Sequence, residues 1–235
     1  MRNLVLMLPL LSVACSAANG TSMVAPDPAH PVVVELFQSQ GCSSCPPANT
    51  NVNAIAQADP GVLALSFAVT YWDQLGWKDR FASPAFTARQ WDYAHAAGRA
   101  QVGTPQVVVN GLTVVNGGNR EQLDRTIAQA GPALGGPTIE PAGGRIHLGA
   151  VGNAKPATVW LVRYDPRVRA VPIRAGENAG RTLPHRNIVR QLVLLGDWRG
   201  AAANYALPAP TEPGLASAVF VQQGKGGPIT AARKL

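Results

Sequence analysis

Apolar and polar positions follow two different patterns along the first half of the chain. Residues 32–37 and 62–69 form short apolar runs, which predict two buried strands. The longer stretches 48–58 and 83–97 are compatible with helices. These segments follow one another in the order strand, helix, strand and helix.

A hairpin signal comes next in the chain. Residues 106–109 and 112–115 flank the pair Asn110-Gly111, which strongly favours a tight two-residue β-turn. A last helix is predicted over residues 119–130, whose first residue is an asparagine suited to capping a helix. The first half is therefore predicted to be a βαβ unit followed by a hairpin and a helix.

The second half differs in pattern and begins after a seam rich in glycine and proline, residues 131–137. From 138 to 235, short apolar runs alternate with turn residues, which predicts a small all-β, sandwich-like domain. Residues 18–31 contain three prolines and are predicted to be a flexible tether. The first domain is then expected to span residues 32–131.

Composition adds a charge asymmetry to this division. The chain has 235 residues and a formal net charge of +7. Residues 137–235 contain 13 Lys and Arg against 5 Asp and Glu, a balance of +8, whereas the preceding part has 7 against 8, a balance of −1. This surplus predicts attraction to an anionic surface, or only arginines that solvate outer strand faces. No basic-aromatic motif accompanies it, so a nucleic-acid partner is not expected.

The N-terminus has the layout of an export signal over residues 1–17. A short positive start precedes the apolar stretch 4–13, and small residues precede Cys15. This ending resembles the bacterial lipoprotein signal, in which the cysteine after the cut is acylated, although Ser12 stands where that signal has leucine. Lipidation of Cys15 and simple secretion both remain open. Either predicts a periplasmic or secreted chain in an oxidising compartment.

Cys42 and Cys45 carry the main candidate chemistry. They are separated by two serines, follow the first predicted strand, and are the only cysteines besides Cys15. Two thiols at this spacing can close a disulfide, and the N–H groups of a following helix favour a thiolate. A structural staple is the alternative interpretation.

Thr104-Pro105, directly before the predicted hairpin, is the second element of the candidate site. A CxxC motif after the first strand of a βαβ pattern is typical of thioredoxin. Thioredoxin-like proteins place a cis proline beside the disulfide, and the residue before it offers backbone hydrogen bonds to an extended substrate. An ordinary proline that opens a strand is the alternative.

The chain also resembles a known family. Residues 35–47, 71–79 and 104–106 are similar to the secreted thioredoxin-like family called domain of unknown function 1223, and Gly176-Glu177-Asn178 and Gly196-Asp197-Trp198 extend the similarity. The resemblance implies a thioredoxin-like fold and a disulfide motif, but no substrate. The predicted fold class is therefore an α/β thioredoxin-like domain followed by a small all-β domain.

Three further residues complete the predicted site. Glu35 is similar in position to the buried acid that assists proton transfer in related oxidoreductases, although a satisfied buried carboxylate is the alternative. Trp72 and Trp77 lie in an aromatic insertion and are predicted to line a groove over the disulfide.

The function predicted from these residues is thiol-disulfide exchange with a protein or small-thiol partner, without a cofactor. Cys42 is expected to attack, because the first cysteine of such a motif is the more exposed, and Cys45 to resolve the mixed disulfide. A copper chaperone that uses the same thiols and a histidine is one alternative. A non-catalytic interaction module with a structural disulfide is the other. A zinc site is not expected, since a second ligand pair is missing.

Overall fold

The computed structural model describes Asp27 and residues 29–235. The predicted export signal and Cys15 lie outside these residues. None of the helices in the described part is both long and apolar enough to cross a membrane.

Three helices are present in the described residues: α1 Pro46–Ala58, α2 Pro84–Ala96 and α3 Arg120–Ala130. The strands are β1 Val32–Gln38, β2 Val62–Ala68, β3 Gln106–Val109, β4 Thr113–Val115, β5 Ile139–Ala142, β6 Arg145–Leu148, β7 Ala157–Asp165, β8 Arg169–Pro172, β9 Thr182–His185, β10 Ile188–Trp198, β11 Ala203–Ala206, β12 Ala216–Gln223 and β13 Ile229–Lys234.

One mixed eight-stranded sheet organises the molecule. Its strand order is β13-β12-β7-β10-β2-β1-β3-β4. β1 runs parallel to β2, and β3 and β4 continue the sheet antiparallel beyond β1. On the other side, β10 meets β2 in a short parallel junction at Ile188 and Ser66, and pairs antiparallel with β7 along most of its length.

The predicted fold class, an α/β thioredoxin-like domain followed by a small all-β domain, is wrong. The described residues are mostly β, and strands from both halves of the chain join in the one large sheet. Their side chains also share a core, in which Phe37, Phe67 and Val108 lie in the same buried cluster as Val162 and Phe220. Burial of one continuous apolar surface favours this joining, because separate sheets would each expose an edge and a face.

β1 shows how the sheet places its two cores. Side chains alternate between the faces of a strand, and all seven residues of β1 are buried. Val34 and Leu36 pack with α1 and α3 on one face. Val33 and Phe37 pack on the other face with residues of α2 and of the second half. A strand buried on both faces explains the nearly continuous apolar pattern of its sequence.

The predicted hairpin and final helix of the first half are confirmed. Asn110 and Gly111 have φ angles of 48° and 70° between β3 and β4, the left-handed pair that a tight hairpin turn requires. α3 begins after Asn119, whose side chain accepts a hydrogen bond from the Gln122 N–H at 2.9 Å. The hairpin also reaches the second half, because the Ile229 N–H donates to the Asn110 carbonyl at 2.9 Å.

Two smaller sheets complete the second half. β11, β6 and β5 form a three-stranded sheet, and β8 pairs with β9 as a separate hairpin. Val171, Ile173 and Leu183 of the β8–β9 hairpin form a small buried cluster, against which Trp77 and Phe81 of the first half pack. The hairpin is thereby held beside the loop that connects β2 to α2.

Candidate functional site

The CxxC motif lies in the turn between β1 and α1, as the sequence predicts. Cys42 and Cys45 form a disulfide, with their Cα atoms 5.4 Å apart. Cys45 is the N-cap of α1 and its N–H donates to the Cys42 carbonyl at 3.2 Å. Pro46 and Pro47 occupy the first helical positions and carry no N–H group. The helix therefore offers fewer donors to a thiolate than an ordinary helix start.

Both cysteines are buried in the disulfide form. Cys42 is 0% exposed and Cys45 is 2% exposed, whereas the two serines between them are exposed. The expectation that Cys42 is the more exposed cysteine is thus wrong. The attacking role of Cys42 stays a prediction. Its support comes from the polar groups beside the Cys42 sulfur and not from exposure.

Thr104, the residue before Pro105, lies beside the disulfide. The peptide bond between them is cis. The Sγ atom of Cys42 lies 3.8 Å from the Thr104 carbonyl oxygen and 3.3 Å from the Ser44 hydroxyl. That hydroxyl donates to the same carbonyl at 3.4 Å. Cys42, rather than Cys45, therefore faces the loop that precedes β3.

The two predicted tryptophans support this loop and the turn. The Trp72 indole N–H donates to the Thr104 hydroxyl at 2.8 Å. The Trp77 indole N–H donates to the Gln40 side-chain oxygen at 2.9 Å. Both rings are half-buried, and they hold the two sides of the motif in place. A groove of about 370 Å³ does adjoin Thr104 and Pro105, but neither tryptophan lines it.

The loop 176–178 between β8 and β9 covers the CxxC turn from the second half. Asn178 is fully buried, and its amide donates to the carbonyls of Gln40 and Cys42, both at 2.9 Å. The exposed Glu177 carboxylate accepts the Ser43 N–H at 3.0 Å. Hydrogen bonds from the side chain and backbone of Ser43 lower the pKa of Glu177. We refer to residues 176–178 as the cap loop.

The sequence indicated that the residues of the cap loop are of interest, but it did not indicate that they lie beside the CxxC turn. Gly176-Glu177-Asn178 stood out through the family resemblance. More than 130 residues separate Glu177 from Ser43, and local patterns carry no information about such a contact.

Two buried titratable groups flank the turn. Asp79 accepts the Gln40 N–H at 2.8 Å, and burial raises its pKa to about 6. His185 lies at hydrogen-bond distance from Asn49, 3.3 Å, one turn into α1. Burial lowers the pKa of His185 to about 4, so its ring is neutral at neutral pH. Neither residue was singled out from the sequence.

Glu35 lies in a separate buried network. Its carboxylate accepts two hydrogen bonds from the Arg89 guanidinium, at 2.6 and 3.1 Å, and a third from the Tyr93 hydroxyl. Burial raises the pKa of Tyr93 well above its usual value, which keeps that hydroxyl protonated. Gln222 of β12 also contacts Arg89. The satisfied carboxylate is thus the arrangement observed, and none of its hydrogen bonds reaches the disulfide.

The described residues contain no group of three His, Cys, Asp or Glu side chains arranged to hold a metal ion. Thiolates are ligands that suit Cu(I). The predicted copper site of both cysteines and a histidine is not found in Asp27 and residues 29–235, and copper binding by the reduced cysteine pair alone stays a prediction.

Comparisons with known proteins give a family and a fold. A family model described as "Protein of unknown function (DUF1223)" matches residues 33–222. A crystal structure of an Agrobacterium tumefaciens protein aligns at 31% identity with a TM-score of 0.70, covering 87% of this chain and 93% of that one. HBP35 of Porphyromonas gingivalis aligns at 13% identity with a TM-score of 0.61, covering 88% and 74%, a likeness of fold alone. No protein of curated function matches the chain.

Proposed function

The chain belongs to the DUF1223 family of proteins of unknown function, and we propose that it is an exported thiol-disulfide oxidoreductase that acts through Cys42 and Cys45. The carrying observation is the position of the Cys42 sulfur, 3.8 Å from the carbonyl of Thr104, a residue that also lines an open groove. A partner segment in that groove would bring its own sulfur to Cys42.

The exchange would proceed in two steps that balance. A partner thiolate attacks the Cys42 sulfur, which forms a mixed disulfide and releases Cys45 as a thiolate. A second partner thiol then attacks the partner sulfur of that bond and releases Cys42. Two electrons pass from the partner to the pair, and the two protons of the partner thiols go to the cysteines or to water. The same steps run in reverse when the partner is the oxidant.

The exposed serines provide the approach to the buried sulfurs. Ser44 is exposed, and its hydroxyl lies 3.3 Å from the Cys42 sulfur. This hydroxyl can donate a hydrogen bond to a Cys42 thiolate, which supports the assignment of Cys42 as the attacking thiol. Cys45 has no such neighbour among its hydrogen bonds, which involve only backbone groups.

Trapping of the mixed disulfide tests the proposal. The Cys45→Ser variant should accumulate a disulfide between Cys42 and a thiol partner such as glutathione, because the resolving thiol is missing. The Cys42→Ser variant is the matched control and should accumulate much less. Equal trapping by both variants would contradict the assigned roles, and no trapping by either would contradict the activity.

The burial of both sulfurs favours a second candidate, a purely structural disulfide. A staple of this kind is reduced only when the protein opens. We therefore compare the rate of reduction by dithiothreitol with the rate of global unfolding. Reduction much faster than unfolding supports exchange in the folded protein, whereas equal rates support the staple.

The basic second half supports a further part of the proposal, attachment to an anionic surface. Vesicles with anionic headgroups should bind the protein, and binding should weaken as salt rises, since the Debye length is about 8 Å at physiological ionic strength. Vesicles of neutral lipid are the control. Salt-insensitive binding, or equal binding to both vesicles, would leave the charge as ordinary solvated surface.

A further inference from the structure

An open groove runs from the cis-proline loop to the edge strand β4. It is about 370 Å³ in volume and is lined by residues 99 and 101–106 and by residues 114–116. Val102, Val114 and Val115 give it an apolar wall, and no acidic residue lines it. One of its lining residues, Thr104, has its carbonyl oxygen 3.8 Å from the Cys42 sulfur.

Arg99 is the one charged residue of this groove. Its Nε and Nη2 atoms are buried, yet neither has a hydrogen-bond partner within the described residues. Leaving buried donors unsatisfied is unfavourable, and more so when they belong to a charged group. The salt bridges of the described residues do not include Arg99. The third nitrogen, Nη1, is not among these buried atoms and makes no hydrogen bond within the described residues, so the guanidinium meets the groove through Nη1. Rotation of the side chain towards an anion would bring Nη2 out beside it.

A carboxylate fits these donors best. The guanidinium presents its N–H groups in a planar fork that matches the two oxygens of a carboxylate. The valine wall beside it suits the aliphatic part of the same ligand. The groove thus combines a charged group and an apolar wall with Thr104, the lining residue that lies next to the Cys42 sulfur.

We infer that Arg99 recognises a carboxylate on the thiol or disulfide partner and so determines the substrate class. This inference rests on the proposed function, because it assigns the groove to the partner of Cys42. The carboxylate belongs either to a small peptide thiol or to an acidic side chain of a protein partner. Arg99 is then a specificity-determining residue for the exchange reaction.

Binding of a ligand that cannot exchange tests the inference independently of redox activity. S-methyl glutathione carries carboxylates but no free thiol, and its diethyl ester lacks those charges. Calorimetry on the disulfide form of the full chain should show the acid binding about tenfold more tightly than the ester, as expected for a charge-assisted contact. Arg99→Gln should abolish this difference, and Arg99→Lys should retain part of it, since lysine keeps the charge but loses the fork.

Arg145→Gln is the matched control, because Arg145 is an exposed arginine of β6 with the same charge. It should keep the full preference for the acid. Equal binding of acid and ester by the unaltered protein, or an unchanged preference in Arg99→Gln, would overturn the inference. Thermal unfolding of each variant shows that a lost preference is not lost folding.

A competitor assigns the source of the carboxylate. A short blocked peptide that contains glutamate should displace S-methyl glutathione if the partner is an acidic protein segment, whereas failure to compete assigns the site to a small thiol. Loss of thiol exchange with retained, Arg99-dependent binding would contradict the proposed function but not the carboxylate site. A rate of thiol exchange that is the same in Arg99→Gln as in the unaltered protein would contradict the carboxylate site but not the proposed function.

Discussion

At the scale of single residues, the cap loop places one negative charge on the turn that carries the disulfide. Glu177 places a carboxylate on the N–H of Ser43, the residue next to Cys42. The adjacent Asn178 fixes the carbonyl of Cys42 itself. A negative charge near a thiol disfavours the thiolate, so Glu177 opposes the ionisation on which exchange depends.

Replacing Glu177 by glutamine should therefore make the reduced protein more reactive. The charge disappears while an amide oxygen can still accept the Ser43 N–H. We expect alkylation of Cys42 by iodoacetamide at neutral pH to become several-fold faster. Glu140→Gln, a change of an exposed glutamate in β5, is the control and should leave the rate unchanged. An unchanged or slower rate in Glu177→Gln would contradict this role.

The buried His185 predicts a pH dependence of stability. Burial lowers its pKa to about 4, whereas the unfolded value is near 6.5. The unfolded chain binds more protons between these values, so this contribution is complete above about pH 6.5 and is lost as the pH falls towards 4. Its size is at most roughly 3 kcal/mol.

Urea unfolding at several pH values measures this effect. The unaltered protein should lose more stability on acidification than His185→Gln, which cannot take up the proton. Asp79 acts in the opposite direction. Burial raises its pKa to about 6, so its contribution to the free energy of unfolding is lost as the pH rises from about 4 to 6. Parallel curves for the unaltered protein and His185→Gln would contradict the assignment to His185.

At the scale of elements, local patterns predicted segments but not their long-range partners. The Asn110-Gly111 turn and the helix after Asn119 depend on neighbouring residues, and the sequence predicts both. The face of Glu35 on β1 was not predictable, because Arg89 of α2 and Gln222 of β12 determine it. The cis bond before Pro105 was predicted from the thioredoxin-like order of the CxxC motif, Thr104-Pro105 and the hairpin.

The Glu35–Arg89 pair joins three elements and should respond to paired substitution. The guanidinium carbon of Arg89 lies 4.9 Å from the Phe220 ring centroid and 5.2 Å from that of Tyr93. Removing one charge leaves the other buried and unpaired, so Glu35→Gln or Arg89→Met alone should each cost about 3–5 kcal/mol. The double variant should cost less than the sum of the single variants.

Denaturant unfolding of the four proteins measures this coupling, and thiol exchange provides a second readout. We expect any folded Glu35→Gln protein to exchange at the unaltered rate, because Glu35 has no hydrogen bond to the disulfide. A large fall in exchange without a loss of stability would restore the proton-transfer role predicted from the sequence. Additive costs would show that the pair does not interact.

At the scale of the whole molecule, the change from a strand–helix pattern to an all-β pattern predicts two separate domains. The eight-stranded sheet instead contains strands from both halves of the chain. The seam at residues 131–137 is rich in glycine and proline, yet the strands on its two sides share one core. Turn-rich composition reports where the backbone bends, and it does not report which strands pair afterwards. The change from an α/β pattern to an all-β pattern along the chain was therefore mistaken for a domain boundary.

A chain that ends at residue 137 should consequently fail to fold. It would expose the β2 edge and the apolar face that Val162, Ala218 and Phe220 cover. We expect residues 27–137 and 138–235 to lack a cooperative thermal transition when produced separately, and to fold when produced together. Circular dichroism and co-purification measure this outcome. Cooperative unfolding of the first fragment alone would contradict it.

The position of β10 has a further consequence for how the protein is made. Synthesis runs from the N-terminus, so β2 leaves the ribosome long before β10 exists to meet it at Ile188 and Ser66. During that interval an apolar strand with an unpaired edge is available to other nascent chains. We expect the newborn polypeptide to require a holding chaperone, and its yield in the cell to depend on the rate of translation through residues 132–187.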